Sequence, residues 1–205
     1  SVASATFVNG DRIVITGSWD HQARFWETTY GKMVGNPIWM QGPIGQLVTS
    51  PDGQHFISVG GRNKLARLWQ IPTKAWLSFL PGYAESVRSI AVSPAGDKLC
   101  VSASASVRQW SLPDSAAQSQ FDTSSSNGQA SIKKITYTAD GKEILGLQNN
   151  GKLVVLDAET LTPRPKATIA ADKNIRNFAL SADGTKLVLG IALPRNRFQI
   201  QVLQY

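Results

Sequence analysis

Cysteine and histidine are nearly absent from this chain of 205 residues, which has one cysteine and two histidines. A lone cysteine cannot form an internal disulfide, and the apolar run around Cys100 predicts a buried thiol, which favours a reducing, cytoplasmic location. His21 and His55 have no partner at the spacing that metal ligands or a catalytic pair need. We therefore expect no metal site, no cofactor and no enzymatic activity.

Long hydrophobic runs are also missing. None approaches the roughly 18–20 apolar residues of a membrane-spanning helix, so we expect no membrane contact. Charged residues make up only 17% of the chain, but Lys and Arg outnumber Asp and Glu by 21 to 14, which gives a formal net charge of +7. The basic residues form no dense run, which argues against nucleic acid as a partner and leaves an acidic protein partner favoured.

What the chain does contain is an internal repeat. Turn glycines recur at steps of 43, 43, 45 and 43 residues, and an apolar triplet at fixed offsets precedes each of them. The five glycines are Gly10, Gly53, Gly96, Gly141 and Gly184. The segments between the apolar runs are too short and too rich in turn residues for crossover helices, so the pattern predicts antiparallel strands.

Each copy holds up to four short apolar runs. The third run ends in a large residue, at Trp26, Trp69, Trp110, Leu156 and Leu203. A fourth run follows in the first four copies, around 33–34, 76–80, 116–121 and 166–169. A four-stranded unit of this size cannot bury both of its faces alone, so the copies must pack against one another.

The period of about 43 residues and the four strands per copy resemble the WD-repeat family of β-propellers. The residues that carry the resemblance are Ser50-Pro51-Asp52-Gly53, Gly17-Ser18-Trp19-Asp20, Ala23-Arg24-Phe25-Trp26-Glu27 and Ala66-Arg67-Leu68-Trp69-Gln70. The family's Trp-Asp dipeptide is nowhere intact. The resemblance therefore implies that the buried Asp–His–Ser–Trp hydrogen-bond chain is incomplete in every blade.

We accordingly predict an all-β propeller of about five four-stranded antiparallel blades, the last of which lacks its outer strand. The repeats are expected at about 1–42, 43–85, 86–130, 131–173 and 174–205, with Trp26, Trp69 and Trp110 buried between neighbouring blades. We interpret the 205 residues as one region of a longer propeller. A closed five-bladed ring is the alternative.

One position in the repeat suggests a binding site. The residue after the first apolar position of a copy is Arg88, Lys133 and Arg176 in three successive copies. The resemblance implies that these cations lie side by side on one face, near the central channel. Such a cationic arc would attract an acidic peptide, a phosphate or a nucleic-acid backbone. Trp19 and Arg62 are expected as further contacts, and Lys134, Arg195 and Arg197 as additions.

The predicted function is a non-catalytic scaffold that binds a protein partner on one face of the propeller. The alternative is a sensory or autoinhibitory module of a larger signalling protein, such as a nucleotide-hydrolysing switch protein or a kinase, in which the face contacts other domains of the same chain. A propeller enzyme is disfavoured, because no cluster of histidines and carboxylates is visible. The full-length reading frame would distinguish the first two.

Overall fold

The computed structural model describes residues 1–8, 10–60, 66–71, 75–80, 87–103, 106–112, 117–122, 131–164, 174–195 and 197–205, with side chains for all of them except 75–80 and 117–122. All of the regular secondary structure in these ranges is β-strand, and all strand pairs are antiparallel. In this part of the chain we find no helix that is long and apolar enough to cross a membrane.

Three of the sheets have four strands, and within each sheet the strands that follow one another in the chain are hydrogen-bonded neighbours. The first sheet contains β1 (Val2–Val8), β2 (Ile13–Ser18), β3 (Gln22–Glu27) and β4 (Ile38–Trp39). The second contains β5 (Gln46–Thr49), β6 (His55–Val59), β7 (Ala66–Gln70) and β8 (Ala75–Leu80). The third contains β9 (Val87–Val92), β10 (Lys98–Ala103), β11 (Ser106–Ser111) and β12 (Ala117–Asp122).

The other two sheets have three described strands each. The fourth sheet contains β13 (Ile132–Tyr137), β14 (Glu143–Gln148) and β15 (Leu153–Asp157). The fifth contains β16 (Ile175–Leu180), β17 (Lys186–Leu193) and β18 (Arg197–Gln204). The outer strand predicted for the fourth copy, around 166–169, lies outside the described residues. These small antiparallel sheets confirm the predicted all-β propeller architecture.

The outer strand of the first sheet differs from the prediction. Around Met33 there is only an isolated bridge to Trp26, and the strand itself is the two-residue β4, which pairs with Gln22 and Ala23. Gly35 lies between them with a φ of 66°, and Pro37 has no backbone N–H to donate to a ladder. These two residues interrupt the predicted strand, so that regular pairing starts only at β4.

The turn between the first and second strands of a sheet is built by its own side chains. In the second sheet the Asp52 carboxylate accepts from the Gln54 amide at 2.9 Å, and the Ser50 hydroxyl accepts from the His55 amide at 3.0 Å. Gly53 supplies the positive φ of 66°. The same arrangement recurs at Thr138 to Glu143 and at Ser181 to Lys186, so the repeated sequence fixes each hairpin register locally.

The hydrophobic core is divided among the contacts between successive sheets. Four clusters of buried side chains join the first sheet to the second, the second to the third, the third to the fourth and the fourth to the fifth. In the first of these, Phe25 meets Phe56 edge-on with ring centroids 6.0 Å apart, and Phe56 stacks on Trp69 at 5.7 Å. Each sheet thus buries a face by packing on the next one, as a propeller requires.

The three repeated tryptophans are not equally buried. Trp69 and Trp110 are 7% and 1% exposed, whereas Trp26 is only partly buried. The prediction was therefore wrong for Trp26. Its face of the first sheet also carries Phe7, which is 58% exposed, because no other described sheet covers that face.

Candidate functional site

The first strands of four sheets carry a β-bulge at the same place. The pairing slips by one residue at the start of β1, β9, β13 and β16, and the extra residue is Ala3, Arg88, Lys133 and Arg176 respectively. A bulge leaves its extra residue out of the regular ladder and re-aims its side chain. The three cations of the predicted arc therefore occupy one structurally equivalent bulge in three successive sheets.

All of these bulges lie at one end of the sheets. Each first strand starts where its second strand ends, as in the pairs Val2 with Ser18 and Ile132 with Gln148. We call this end, which also holds the turns between second and third strands, the strand-start face. Trp19 directly follows β2, so it lies there too, and it is 64% exposed. Arg62 lies outside the described residues.

The arc residues differ in exposure. Arg88 and Arg176 are exposed, and Lys133 is partly buried. Burial lowers the pKa of Lys133, and the positive charge of Arg176 lowers it further. The fold thus holds these two cations close enough to repel each other, while Arg88 occupies the same position in the preceding sheet.

The residue after each bulge has a different task, which the sequence analysis missed. Its side chain bonds to the middle of the first strand in the next sheet: the Leu47 amide donates to Ser4 Oγ at 3.0 Å, and the Ile135 amide donates to Ser89 Oγ at 3.2 Å. Gln46 Oε1 likewise accepts from the Ile90 amide at 3.2 Å. A polar residue at the same repeat position was the signal that could have revealed these links.

Lys134 occupies this linking position in the fourth sheet. Its ammonium donates to the Phe178 carbonyl at 2.7 Å and to Asn177 Oδ1 at 2.8 Å, and it lies 5.2 Å from the centre of the Phe178 ring. Burial lowers the pKa of Lys134. The prediction that Lys134 adds to the arc is wrong, because its charge is used to join two sheets.

Acidic side chains are concentrated at one end of the sheets. The carboxylates of Asp52, Asp140 and Asp183 lie in the hairpin turns at the opposite face, where hydroxyl and amide donors lower their pKa values. Among the acidic side chains that the structure describes, only Asp20 lies at the strand-start face. Arg24 donates to it at 2.8 Å, which lowers the pKa of Asp20 to about 2. The described part of the strand-start face is therefore net positive.

The groups that could perform chemistry are scattered. His21 lies in a turn at the strand-start face, whereas His55 begins β6 at the opposite face. Cys100 is fully buried, and burial raises the pKa of its thiol well above the usual range. The described residues contain no group of three or more His, Cys, Asp or Glu side chains that could hold a metal ion.

An internal hydrogen bond characteristic of the repeat is present in part. The Trp26 indole donates to the Thr16 hydroxyl at 2.8 Å, and the Trp69 indole donates to the Ser58 hydroxyl at 2.9 Å. These pairs cross the second and third strands at the same place in two sheets. Together with the sheet order and the repeat period, they define a β-propeller built from degenerate WD repeats.

Comparison with known proteins agrees. The family model described as "WD domain, G-beta repeat" matches residues 1–27 and 75–111. The small ribosomal subunit protein RACK1 of Caenorhabditis elegans is 28% identical over 106 residues, which is 52% of this chain and 32% of RACK1. The WD repeat-containing protein srw1 of Schizosaccharomyces pombe is 30% identical over 120 residues, which is 57% of this chain and 21% of srw1.

These matches support a WD-repeat family for the chain. The matched stretches span well under two thirds of either relative.

Proposed function

We propose that this propeller region is a non-catalytic protein-interaction scaffold that binds an acidic segment of a partner on its strand-start face. The bulge cations Arg88, Lys133 and Arg176 form the binding arc, and Trp19 lies on the same face. Arg62 stays a sequence-based prediction of a further contact. The observation that carries the proposal is the position of the three cations. They stand at one equivalent bulge in three successive sheets, and they form no ion pair or hydrogen bond within the described part of the chain.

The position of the carboxylates supports this choice of face. An acidic ligand that approaches the opposite face meets turn carboxylates, whereas the strand-start face presents cations. A field of one sign raises the local concentration of oppositely charged ligands and speeds their association. The similarity to RACK1 and to the WD repeat-containing protein srw1 supports a binding role in general.

The arc acts collectively. Each solvent-exposed ion pair contributes only about 0–1 kcal/mol, so the three together contribute up to about 3 kcal/mol, or a factor of about 100 in affinity. No single substitution should abolish binding. Screening should weaken binding strongly as ionic strength rises, because the Debye length falls to about 10 Å at 0.1 M salt.

The test uses a fluorescein-labelled oligo-glutamate peptide and fluorescence anisotropy at several salt concentrations. The first variant reverses the arc, with Arg88→Glu, Lys133→Glu and Arg176→Glu. A matched control reverses three exposed cations at the opposite face, with Arg12→Glu, Lys32→Glu and Lys186→Glu. Both variants have the same net charge, so a difference between them reports the position of the charges.

We expect the arc variant to lose at least about tenfold in affinity at low salt, and the control to change affinity about threefold or less. Equal losses in the two variants would show that only net charge matters and would overturn the proposal. Affinity capture with the complete protein and the same variants then identifies the partner. Recovery of a segment of the same polypeptide would favour the autoinhibitory alternative. A cytoplasmic location is part of this proposal, supported by the reduced, buried thiol of Cys100.

A further inference from the structure

The fifth sheet has a cavity of about 500 Å³ at its strand-start end. Asn174 and Arg176, at the start of the first strand, form one side of it, and the turn between β17 and β18 forms the other. Two backbone hydrogen bonds fix these walls: the Ala192 amide donates to the Asn174 carbonyl at 2.9 Å, and the Ile175 amide donates to the Gly151 carbonyl at 3.1 Å. The volume lies in the range of about 300–1,000 Å³ that small ligands and peptide side chains occupy.

The polar part of the lining is cationic. Arg176 and Arg197 are both exposed, and neither guanidinium forms an ion pair or hydrogen bond with the residues that the structure describes. Lys133 adds a third positive charge near Arg176. Guanidinium groups bind carboxylates through paired N–H donors in a fixed plane, so two of them beside one cavity provide a strong carboxylate site.

The rest of the lining is apolar. Leu193 and Phe198 come from either side of the turn, and Phe198 is 74% exposed although it is a large aromatic residue. Exposed apolar surface beside a charged site gains free energy when a ligand covers it. A fully hydrated anion would leave this surface in water, whereas an anion joined to an apolar group would cover it.

We propose that this cavity binds a carboxylate side chain of the partner together with the large apolar residue that follows it. The inference rests on the proposed function and extends it from any acidic segment to an acidic–apolar pair. The carboxylate lies between Arg176 and Arg197, and the apolar side chain packs on Leu193 and Phe198.

The probes are three short fluorescein-labelled peptides with identical Gly-Ser flanks and centres Glu-Glu-Leu, Glu-Glu-Ser and Gln-Gln-Leu. Their affinities are measured by fluorescence anisotropy at low salt. The proposal predicts that Glu-Glu-Leu binds about tenfold more tightly than either of the others, because it alone uses both parts of the lining. The arc alone would bind Glu-Glu-Leu and Glu-Glu-Ser equally.

Three variants separate the cavity from the arc. The double variant Leu193→Ser, Phe198→Ser should lower the affinity for Glu-Glu-Leu to that for Glu-Glu-Ser and leave the latter unchanged. Arg197→Gln should weaken the binding of Glu-Glu-Leu by up to about fivefold. Arg88 lies outside the cavity, so Arg88→Gln should weaken the binding of both acidic peptides by the same factor and preserve the ratio of their affinities. Far-ultraviolet circular dichroism checks that each variant is folded.

The outcomes distinguish the two proposals. Equal binding of Glu-Glu-Leu and Glu-Glu-Ser, with both lost on reversal of the arc, would overturn the cavity proposal and leave the arc in place. Absence of binding by both acidic peptides would overturn the proposed function and the cavity with it. A Glu-Glu-Leu preference that survives the Leu193→Ser, Phe198→Ser substitution would place the apolar contact elsewhere and would also overturn the cavity proposal.

Discussion

Because each sheet packs on its neighbour, the same Trp→Ala substitution should lower the free energy of unfolding by different amounts at two equivalent positions. Trp69 and Trp26 occupy the same place in successive sheets, and each indole donates to a hydroxyl on the second strand, at 2.9 Å and 2.8 Å. They differ in packing. Trp69 is 7% exposed and stacks on Phe56, whereas Trp26 is only partly buried. Trp→Ala removes a similar hydrogen bond from both.

The expected magnitudes follow from this difference. Trp69→Ala should lower the free energy of unfolding by about 3–5 kcal/mol, because it leaves a cavity between two sheets. Trp26→Ala should lower it by about 1–2 kcal/mol, because it removes one hydrogen bond and a partial apolar contact. The total stability of a domain is about 5–15 kcal/mol, so Trp69→Ala approaches the limit of folding. Trp69→Phe, which keeps an aromatic ring beside Phe56, should cost less than Trp69→Ala.

The measurement is urea unfolding followed by far-ultraviolet circular dichroism, since removal of a tryptophan changes the fluorescence signal itself. The slope with urea should stay constant among the variants, so that shifts of the midpoint report stability. Equal losses for Trp26→Ala and Trp69→Ala would refute the reasoning. Such a result would mean that the contact between the first and second sheets does not bury Trp69 in solution.

Three further predictions follow from other contacts. Lys134→Met should lower the free energy of unfolding by about 1–2 kcal/mol in urea titrations, because the Phe178 carbonyl and Asn177 lose their charged donor; an unchanged midpoint would contradict this link between sheets. Gly17→Ala should be destabilising in a thermal melt, because a Cβ there would overlap the Ile44 side chain. The loss of stability from Gly31→Ala should be limited to the strain of its positive φ. Acidic-peptide affinity should fall as the pH rises through the lowered pKa of Lys133, below the usual lysine value of about 10.4, and Lys133→Arg should remove this fall; a titration by anisotropy from neutral to alkaline pH checks it.

Much of the fold was predictable because the repeat is encoded locally. Ser50, Asp52 and Gly53 form their hairpin turn through local hydrogen bonds and a local positive φ, so similar residues in another copy predict the same turn. The buried apolar triplet of the fourth copy (Ile132, Ile135 and Tyr137) and the buried Trp69 and Trp110 follow the pattern of strands that pack on a neighbouring sheet, whereas the triplet of the first copy is exposed. The prediction misplaced the outer strand of the first sheet, because the interruption by Gly35 and Pro37 decides where strand pairing resumes.

The site was predictable only in part. A cation at one repeat position suggested the arc, but the sequence did not reveal the β-bulge that sets this position apart. It also did not separate Lys133 from Lys134, whose roles differ because one side chain faces a neighbouring sheet that contains Phe178. Contacts between sheets depend on residues about 43 positions away, and local patterns carry little information about them. The exposure of Trp26 was missed for the same reason.

Zero-length cross-linking tests the central claim most directly. A carbodiimide joins a peptide carboxylate to a lysine amine that it touches, so mass spectrometry of the cross-linked complex with the oligo-glutamate peptide shows where the ligand lies. Lys133 should be the principal lysine modified, and the cross-linked product should disappear in excess unlabelled peptide and at high salt. Cross-links that fall equally on Lys142 and Lys186, at the opposite face, would contradict the claim.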